Sequence, residues 1–513
     1  MSSADTTPAS TSPTLSTGPT ARRVLQFARR HWRMALLQVS LAITGTLLMP
    51  VFPSVTQWFF DDIIPNKRYD QITHAALLMF GAFFAIELLF YFRTRVNSAF
   101  EQIMVFDLRG QLHRKISHMS LNWFDKQSTG DIFTRMADDV PATQRVVLEG
   151  IEQGLTAILQ IIMALVVMFN THVALTWVVL IPTPLIAAGG WIYAKLLAPR
   201  ELQARAATSA MHGMLFDTLA GIRQIKSYVF EEPQQERFNH TSRHLQGIQK
   251  KLMAAAALYS PLMTLLGKMG LVLVMLVGAQ WCIHPQEHPL TPGQLLAFVL
   301  LVNMLYEPIA RLHGVNQMMV SGLASAQRVF AVLDQSGEED LQHGIAVERL
   351  QGAIEFREVA FAYQPQRPIV QSLSISIKPF QTVAFVGATG SGKSTIFQLI
   401  TGFYTANSGS ITIDEHPIEQ LAKAALRNNI AYVTQDAFLF ATDIRQNLLL
   451  GKPGASDEEL WHALKLACAD EFVARLPDGL NSQVGERGNR LSGGERQRLT
   501  MARAFLKNAP ILL

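Results

Sequence analysis

Of 513 residues, 49% are hydrophobic and only 16% are charged, against about 25% charged in an ordinary soluble domain. That length exceeds one core, so two or more domains are expected. A net charge of +4 would suggest nucleic acid in a soluble protein, but here the surplus arginines cluster beside apolar runs, as membrane topology requires. The two cysteines, Cys282 and Cys468, argue against a disulfide framework and suggest no metal site.

Residues 1–20 are rich in Ser, Thr and Pro and lack periodicity, so a disordered tail is expected there. Residues 21–33 (ARRVLQFARRHWR) place Arg22, Arg23, Arg29, Arg30 and Arg33 among apolar residues at helical spacing, which suits an interfacial helix at the inner leaflet. A signal peptide is the rival reading, but the apolar run that follows is too long for an h-region and no small-residue cleavage site ends it. The arginines put the N-terminus in the cytoplasm. Six spans are expected within residues 34–320, at Met34–Phe60, Ala75–Phe92, Ile151–Phe169, Val173–Ala194, Ala254–Ile283 and Gln294–Leu312, each near the ~20 residues that cross a bilayer.

The connections between spans are unequal. Stretches 61–74, 170–172 and 284–293 are short and nearly free of basic residues, whereas 93–150 and 195–253 are long and rich in Arg and Lys, so both long ones are cytoplasmic. Segments 93–120 and 204–230 keep helical periodicity, which predicts helices continuing out of the membrane. Turns are expected at Asp125–Gly130 (DKQSTG) and near Glu231–Pro233. Residues 321–350 form a linker, with a helix over 321–334 and a polar, acidic QSGEED at 335–340. Residues 351–513 read as a soluble α/β domain. Its expected strands are 354–356, 374–377, 382–386, 410–413 and 431–433; its expected helices are 421–428, 457–468 and 493–505.

Gly387–Ser394 reads Gly-Ala-Thr-Gly-Ser-Gly-Lys-Ser, between an apolar run suited to a strand (QTVAFV) and one suited to a helix (TIFQLIT). This is the context of a phosphate-binding P-loop. Gly387, Gly390 and Gly392 let backbone N–H groups converge on phosphate oxygens, with Thr389, Ser391 and Thr395 alongside, and the helix N-terminus adds partial positive charge. Lys393 can reach the β/γ-phosphates and the Ser394 hydroxyl can hold Mg²⁺. Tyr363, upstream, can stack on adenine. Gln435 follows a predicted strand. Leu491-Ser492-Gly493-Gly494-Glu495-Arg496-Gln497 opens a helix, a second anion site at a helix N-terminus.

With these motifs the chain resembles an exporter-type ABC half-transporter: an all-α six-span membrane domain followed by an α/β P-loop nucleotide-binding domain, akin to lipid A flippases and multidrug exporters. The resemblance spans residues 20–513. It implies ATP and Mg²⁺ as cofactors, Tyr363 as the A-loop aromatic and Lys393 and Gln435 as catalytic-site groups. Ser394 and Gln435 would be the metal contacts, and the 491–497 signature would close on the ATP of a second subunit. The usual proline after the Gln-Asp pair is Ala437 here. Residues 484–488 (VGERG) resemble the X-loop, and Trp123-Phe-Asp-Lys and Gly221-Ile-Arg-Gln-Ile-Lys-Ser resemble intracellular-loop sequences. In the family, Ala509–Leu513 is the strand just before the Walker B aspartate, so the sequence is expected to be part of a longer protein, and these residues alone to hold ATP without hydrolysing it.

Glu87, Lys268 and Glu307 fall within or near the spans, where ionisable groups are costly. Lys268, with Glu87, is a candidate for a substrate cavity favouring an acidic group; a structural Lys268–Glu pair is the alternative. The expected function is ATP-driven export or flipping of an amphipathic lipid or drug-like compound by a dimer, a homodimer by preference, in a plasma membrane (a bacterial inner membrane fits best). A peptide exporter and a regulatory half of a heterodimer share these motifs. The six spans argue against a soluble ABC protein acting on nucleic acid.

Overall fold

The structure, a computed structural model, describes residues 17–146, 150, 152–284, 289–337 and 339–513. Tail residues 1–16, Ile151 at the start of the third expected span, residues 285–288 of a short connection and Glu338 of the linker lie outside them. The chain divides into two compact units. One comprises residues up to Gly110 with Thr134–Ala331; the other comprises Gln111–Phe133 with Val332–Leu513.

The helices in chain order are α1 (Thr17–Arg29), α2 (Trp32–Leu48), α3 (Val51–Trp58) with a π-helical turn at Phe59–Ile63, α4 (Tyr69–Ser117), α5 (Leu121–Phe124) and α6 (Thr129–Thr134). After a second π-turn at Arg135–Asp139 come α7 (Val140–Arg145), α8 (Glu152–Thr171), α9 (Val173–Leu180), α10 (Thr183–Ala220), α11 (Ile222–Ser227), α12 (Glu231–Ile283) and α13 (Pro292–Leu333). Among the described residues six stretches are long and apolar enough to cross a membrane, Trp32–Ile63, Tyr69–Ser117, Glu152–Thr171, Val173–Ala220, Glu231–Ile283 and Pro292–Leu312, and each overlaps a predicted span. Their outward faces keep apolar side chains exposed, among them Leu77, Phe80 and Phe84, as a lipid solvent allows. At 1.5 Å per residue the 49 residues of α4 reach about 73 Å, well beyond a hydrocarbon core of about 30 Å.

Two expectations need correction. Helix α1 begins at Thr17, so residues 17–20 are helix rather than tail; Val24 is buried, and the Arg23 guanidinium lies 4.5 Å from the Phe330 ring centroid. The turn of the second hairpin is at 228–230, with Val229 at φ 52°, and Glu231–Pro233 is instead the first turn of α12. There the N–H that proline lacks has no intrahelical partner to lose, and the two glutamates face the positive end of the helix dipole. Helix α13 runs to Leu333 and so includes the helix expected over 321–334.

The second unit contains β1 (Ile354–Phe361), β2 (Val370–Ile377), α14 (Lys393–Ile400), β3 (Ser408–Ile413), β4 (His416–Pro417), α15 (Lys423–Asn428), β5 (Ile430–Ala431), α16 (Ile444–Leu449), α17 (Asp457–Leu466), α18 (Asp470–Arg475), α19 (Gly493–Lys507) and β6 (Ile511–Leu512). Its antiparallel sheet has the order β2-β1-β3-β4, with Phe356 opposite Ile375 on one side and Ile411 on the other. Strands β5 and β6 pair in parallel, Ile430 with Ile511, and the ladder continues with the Val433 N–H donating to the Leu513 carbonyl at 2.9 Å.

The strand predicted over 382–386 does not form. The run is apolar enough, but a strand exists only through a ladder, and these residues have no paired neighbour among those described. Val386 stays 93% exposed, while Phe385 turns inward onto Phe397 with ring centroids 5.7 Å apart. Two cores organise the unit. One gathers Phe356, Leu399, Ile411, Ile413 and Leu426 around the antiparallel sheet and α14. The other gathers Leu439, Ile444, Leu460, Leu464 and Leu499 around α16, α17 and α19.

Candidate functional site

The glycine loop stands at the head of α14. Gly390 and Gly392 have φ of 85° and 89°, the left-handed region that a Cβ disfavours. Lys393 is the first residue of α14 and Ser394 the second, with its side chain exposed. The Lys393 ammonium folds back over the loop and donates to the carbonyls of Gly387 and Ala388 at 2.8 and 2.9 Å. The Ser391 N–H closes a turn onto the Ala388 carbonyl at 3.1 Å. Thr395, Leu399 and Ile400 anchor α14 in the first core, so the loop is presented on a fixed helix with exposed Thr389 and Ser391 at its rim. Backbone donors, a helix N-terminus and a lysine cation are the groups that binding a phosphate needs.

Tyr363 is drawn to the same helix. Its hydroxyl lies 3.3 Å from the Thr395 hydroxyl and donates to the Gln398 side-chain carbonyl. The ring is 45% exposed and packs edge-to-face on Phe361 and Tyr404, with centroids 4.9 and 5.1 Å away. An aromatic face fixed beside the cradle is what stacking on a base needs. Gln435 lies exposed on the bend after β5 and makes no hydrogen bond to Ser394 among the described residues.

The signature opens α19 and belongs to the other core. Ser492 caps the helix by accepting the Glu495 N–H at 3.3 Å, and the Glu495 carboxylate accepts the Ser492 N–H and hydroxyl, each at 2.8 Å. These bonds hold the Glu495 carboxyl below its ordinary value, the Ser492 N–H being the largest cause. Leu491 is buried, while Ser492, Gly493 and Gly494 are exposed. Arg496 turns back and donates to the Leu491 carbonyl at 2.7 Å; Gln497 is exposed. Just upstream, Gly485, Arg487 and Gly488 all have positive φ, so 484–488 is a tight left-handed turn with Glu486 and Arg487 exposed. The two helix N-termini thus rest on separate cores, and no hydrogen bond joins them among the described residues.

The tip of the first hairpin packs within the nucleotide unit. On α5, Trp123 is buried and its indole N–H donates to the Gln335 side-chain carbonyl at 2.6 Å. Leu121 packs on the sheet core, and the Asp125 carboxylate accepts the Tyr404 hydroxyl. Burial first, then the Asp125 hydrogen bond and charge, push the Tyr404 phenol well above its ordinary value. Glu339 makes a two-pronged ion pair with Arg427 at 2.6 and 2.8 Å, and the Arg427 guanidinium lies 4.9 Å from the Phe403 ring centroid. The polar, acidic QSGEED linker is therefore pinned at Gln335 and Glu339. Sequence reasoning missed Tyr404, which touches both Tyr363 and Asp125, because no spacing marks a tyrosine that works through tertiary contact.

In the membrane unit, Lys268 and Glu87 do not meet. Lys268 lines a cavity of about 800 Å³ with Tyr193, Tyr259, Tyr306 and Glu307. Glu87 lines another of about 300 Å³ with Arg93, Gln160 and Arg311. Glu307 borders both, beside Pro308 inside α13. The alternative reading, a structural Lys268–Glu ion pair, is not present among the described residues.

Residues 35–309 match the model of the ABC transporter transmembrane region, and residues 370–513 match the ABC transporter model. An ATP-dependent lipid A-core flippase of Syntrophus aciditrophicus (strain SB) is 31% identical over 494 residues, 96% of this chain and 81% of the relative. A putative multidrug export ATP-binding/permease protein of Bacillus subtilis (strain 168) is 30% identical over 504 residues, 96% of this chain and 86% of the relative. The structure of a bacterial Atm1-family ABC exporter with ATP bound superposes with a TM-score of 0.80 at 24% identity, covering 94% of this chain and 85% of that one.

Proposed function

The chain belongs to the ABC transporter family, and on that premise we propose that it moves an amphipathic lipid or drug-like compound across a bacterial inner membrane as a homodimer. The observation that carries the reading is the left-handed glycine cradle headed by Lys393, on the same chain as six helices long enough to span a membrane.

The cradle suits a nucleotide triphosphate. At Gly392 a Cβ would stand 3.1 Å from Ile369 Cγ2 and 3.2 Å from its carbonyl oxygen, so the close backbone turn depends on the missing side chain. Lys393, now on two carbonyls, can exchange those bonds for phosphate oxygens, and Tyr363 offers its face to the base. Ser394, with Gln435, would hold Mg²⁺, which when bound neutralises charge on the β- and γ-phosphates. The exposed, capped N-terminus at Ser492–Gly494 would meet the ATP on the second subunit's cradle. Closure would pass to the membrane helices through α5, which Trp123, Leu121 and Asp125 hold to the nucleotide domain.

The test is ATP-driven uptake of a lipophilic dye into inside-out vesicles carrying the full-length protein. Uptake is expected to require ATP and to disappear in Lys393→Ala. Uptake by Lys393→Ala equal to that of the unmodified protein would refute the reading.

A further inference from the structure

The cavity of about 800 Å³ lies among α10, α12 and α13 and falls within the roughly 300–1,000 Å³ of small-molecule sites. Its chemistry is mixed. Tyr193 comes from α10, Tyr259 and Lys268 from α12, and Asn303, Tyr306 and Glu307 from α13. The rings of Tyr193 and Tyr259 lie with centroids 4.1 Å apart. Gly270 makes room for Tyr306, whose ring would collide with a Cβ placed there. That close approach brings α13 against the α12 turn carrying Lys268.

Lys268 and Glu307 have opposite charges and border one cavity, yet neither forms an ion pair or a hydrogen bond among the described residues. An uncompensated charge at membrane depth is expensive, so each calls for a partner. A simple anion would satisfy Lys268 and be repelled by Glu307, and a simple cation would do the reverse. A molecule bearing both charges satisfies both. Tyrosine faces add attraction for an ammonium group, most of all a quaternary one.

Building on the exporter reading, we infer that this cavity binds a zwitterionic amphiphile. Its phosphate or carboxylate sits on Lys268, and its ammonium group sits against Glu307 and the tyrosine faces. A zwitterionic lipid headgroup and a free zwitterionic aromatic compound share this chemistry.

The test is equilibrium dialysis of the full-length protein in amphipol, which supplies no competing lipid. The probes are radiolabelled dihexanoylphosphatidylcholine, its phosphatidylglycerol counterpart, a hexyltrimethylammonium salt and a zwitterionic fluoroquinolone. At least one zwitterion is expected to bind about tenfold more tightly than the anion and the cation, one charge contact's difference. Glu307→Gln should turn the preference toward phosphatidylglycerol and Lys268→Gln toward the ammonium salt, while Lys268→Arg keeps the original order. Tight binding of the phosphatidylcholine alone identifies a lipid headgroup, and of the fluoroquinolone alone a free compound; both support the inference. Equal or tighter binding of phosphatidylglycerol to the unmodified protein, no zwitterion binding, or an order unmoved by the glutamine variants overturns it. Unchanged affinity for a fluorescent ATP analogue shows that each variant is folded. Dialysis needs no ATP, so its failure with ATP-driven uptake intact overturns this inference and leaves the exporter reading standing.

Discussion

Replacing Gly392 by alanine separates two costs that the glycine cradle avoids. At φ 89° an L-residue meets left-handed strain of about 1–2 kcal/mol. Its Cβ would also stand 3.1 Å from Ile369 Cγ2 and 3.2 Å from the Ile369 carbonyl oxygen. The oxygen belongs to the backbone leading into β2 and has little room to yield, so overpacking adds roughly 1 kcal/mol. If the loop shifts to relieve the strain, its N–H groups lose their convergence. ATP affinity should then fall roughly thirty- to hundredfold, the equivalent of about 2–3 kcal/mol. Gly390→Ala is the internal control. Its φ is 85° but nothing lies within 4 Å of the added Cβ, so it should pay the conformational part alone, roughly five- to thirtyfold. Gly387→Ala meets only the Ser391 hydroxyl at 2.7 Å, which can rotate away, and should change affinity least. The assay is titration with a fluorescent ATP analogue. Gly392→Ala binding as tightly as the unmodified protein, or more tightly than Gly390→Ala, would refute the reasoning.

Two further outcomes can be checked by thermal melting. Arg427→Ala leaves the Glu339 carboxylate without its two-pronged partner and the Phe403 ring without its guanidinium; the pair's side chains are only 26% and 17% exposed, so a loss of about 2 kcal/mol is expected, below the figure for fully buried pairs. Arg427→Lys should fall between, because it keeps the charge and loses the fork, and equal melting of all three proteins would count against the pair. Glu495 gives a pH signature. Its folded pKa lies below the ordinary 4.5, so its stabilisation is present above that value and is lost as pH falls through the depressed one. Glu495→Gln keeps the capping geometry but loses the charge, so it should melt lower at pH 7 by the equivalent of about 0.5 kcal/mol. The gap should close in acid below the carboxylate range, and a gap that is constant with pH would contradict the assignment.

The features legible in the sequence were those carried by local spacing. Six apolar runs of spanning length, the 387–394 loop and the 491–497 signature each depend on residues close together in the chain. Backbone geometry and helix capping act at that range, so Gly390, Gly392, Lys393 and Ser492 appear where the motifs placed them. The continuation of α4 and α10 beyond the bilayer was likewise legible in the helical periodicity of 93–120 and 204–230.

Tertiary structure decided what depends on neighbours distant in sequence. The run 382–386 has a strand's composition but no ladder partner, and pairing rather than propensity makes a strand. Gln335 and Glu339 looked like solvated linker residues until Trp123 and Arg427 were brought against them. Tyr404 carries no motif and matters only because Tyr363 and Asp125 meet it. Sequence predicted that Lys268 is a costly charge in a membrane span. Only the packing of α12 against α13 put it in one cavity with Glu307 and three tyrosines and apart from Glu87, because helix faces meet through interlocking side chains whose partners no local pattern specifies.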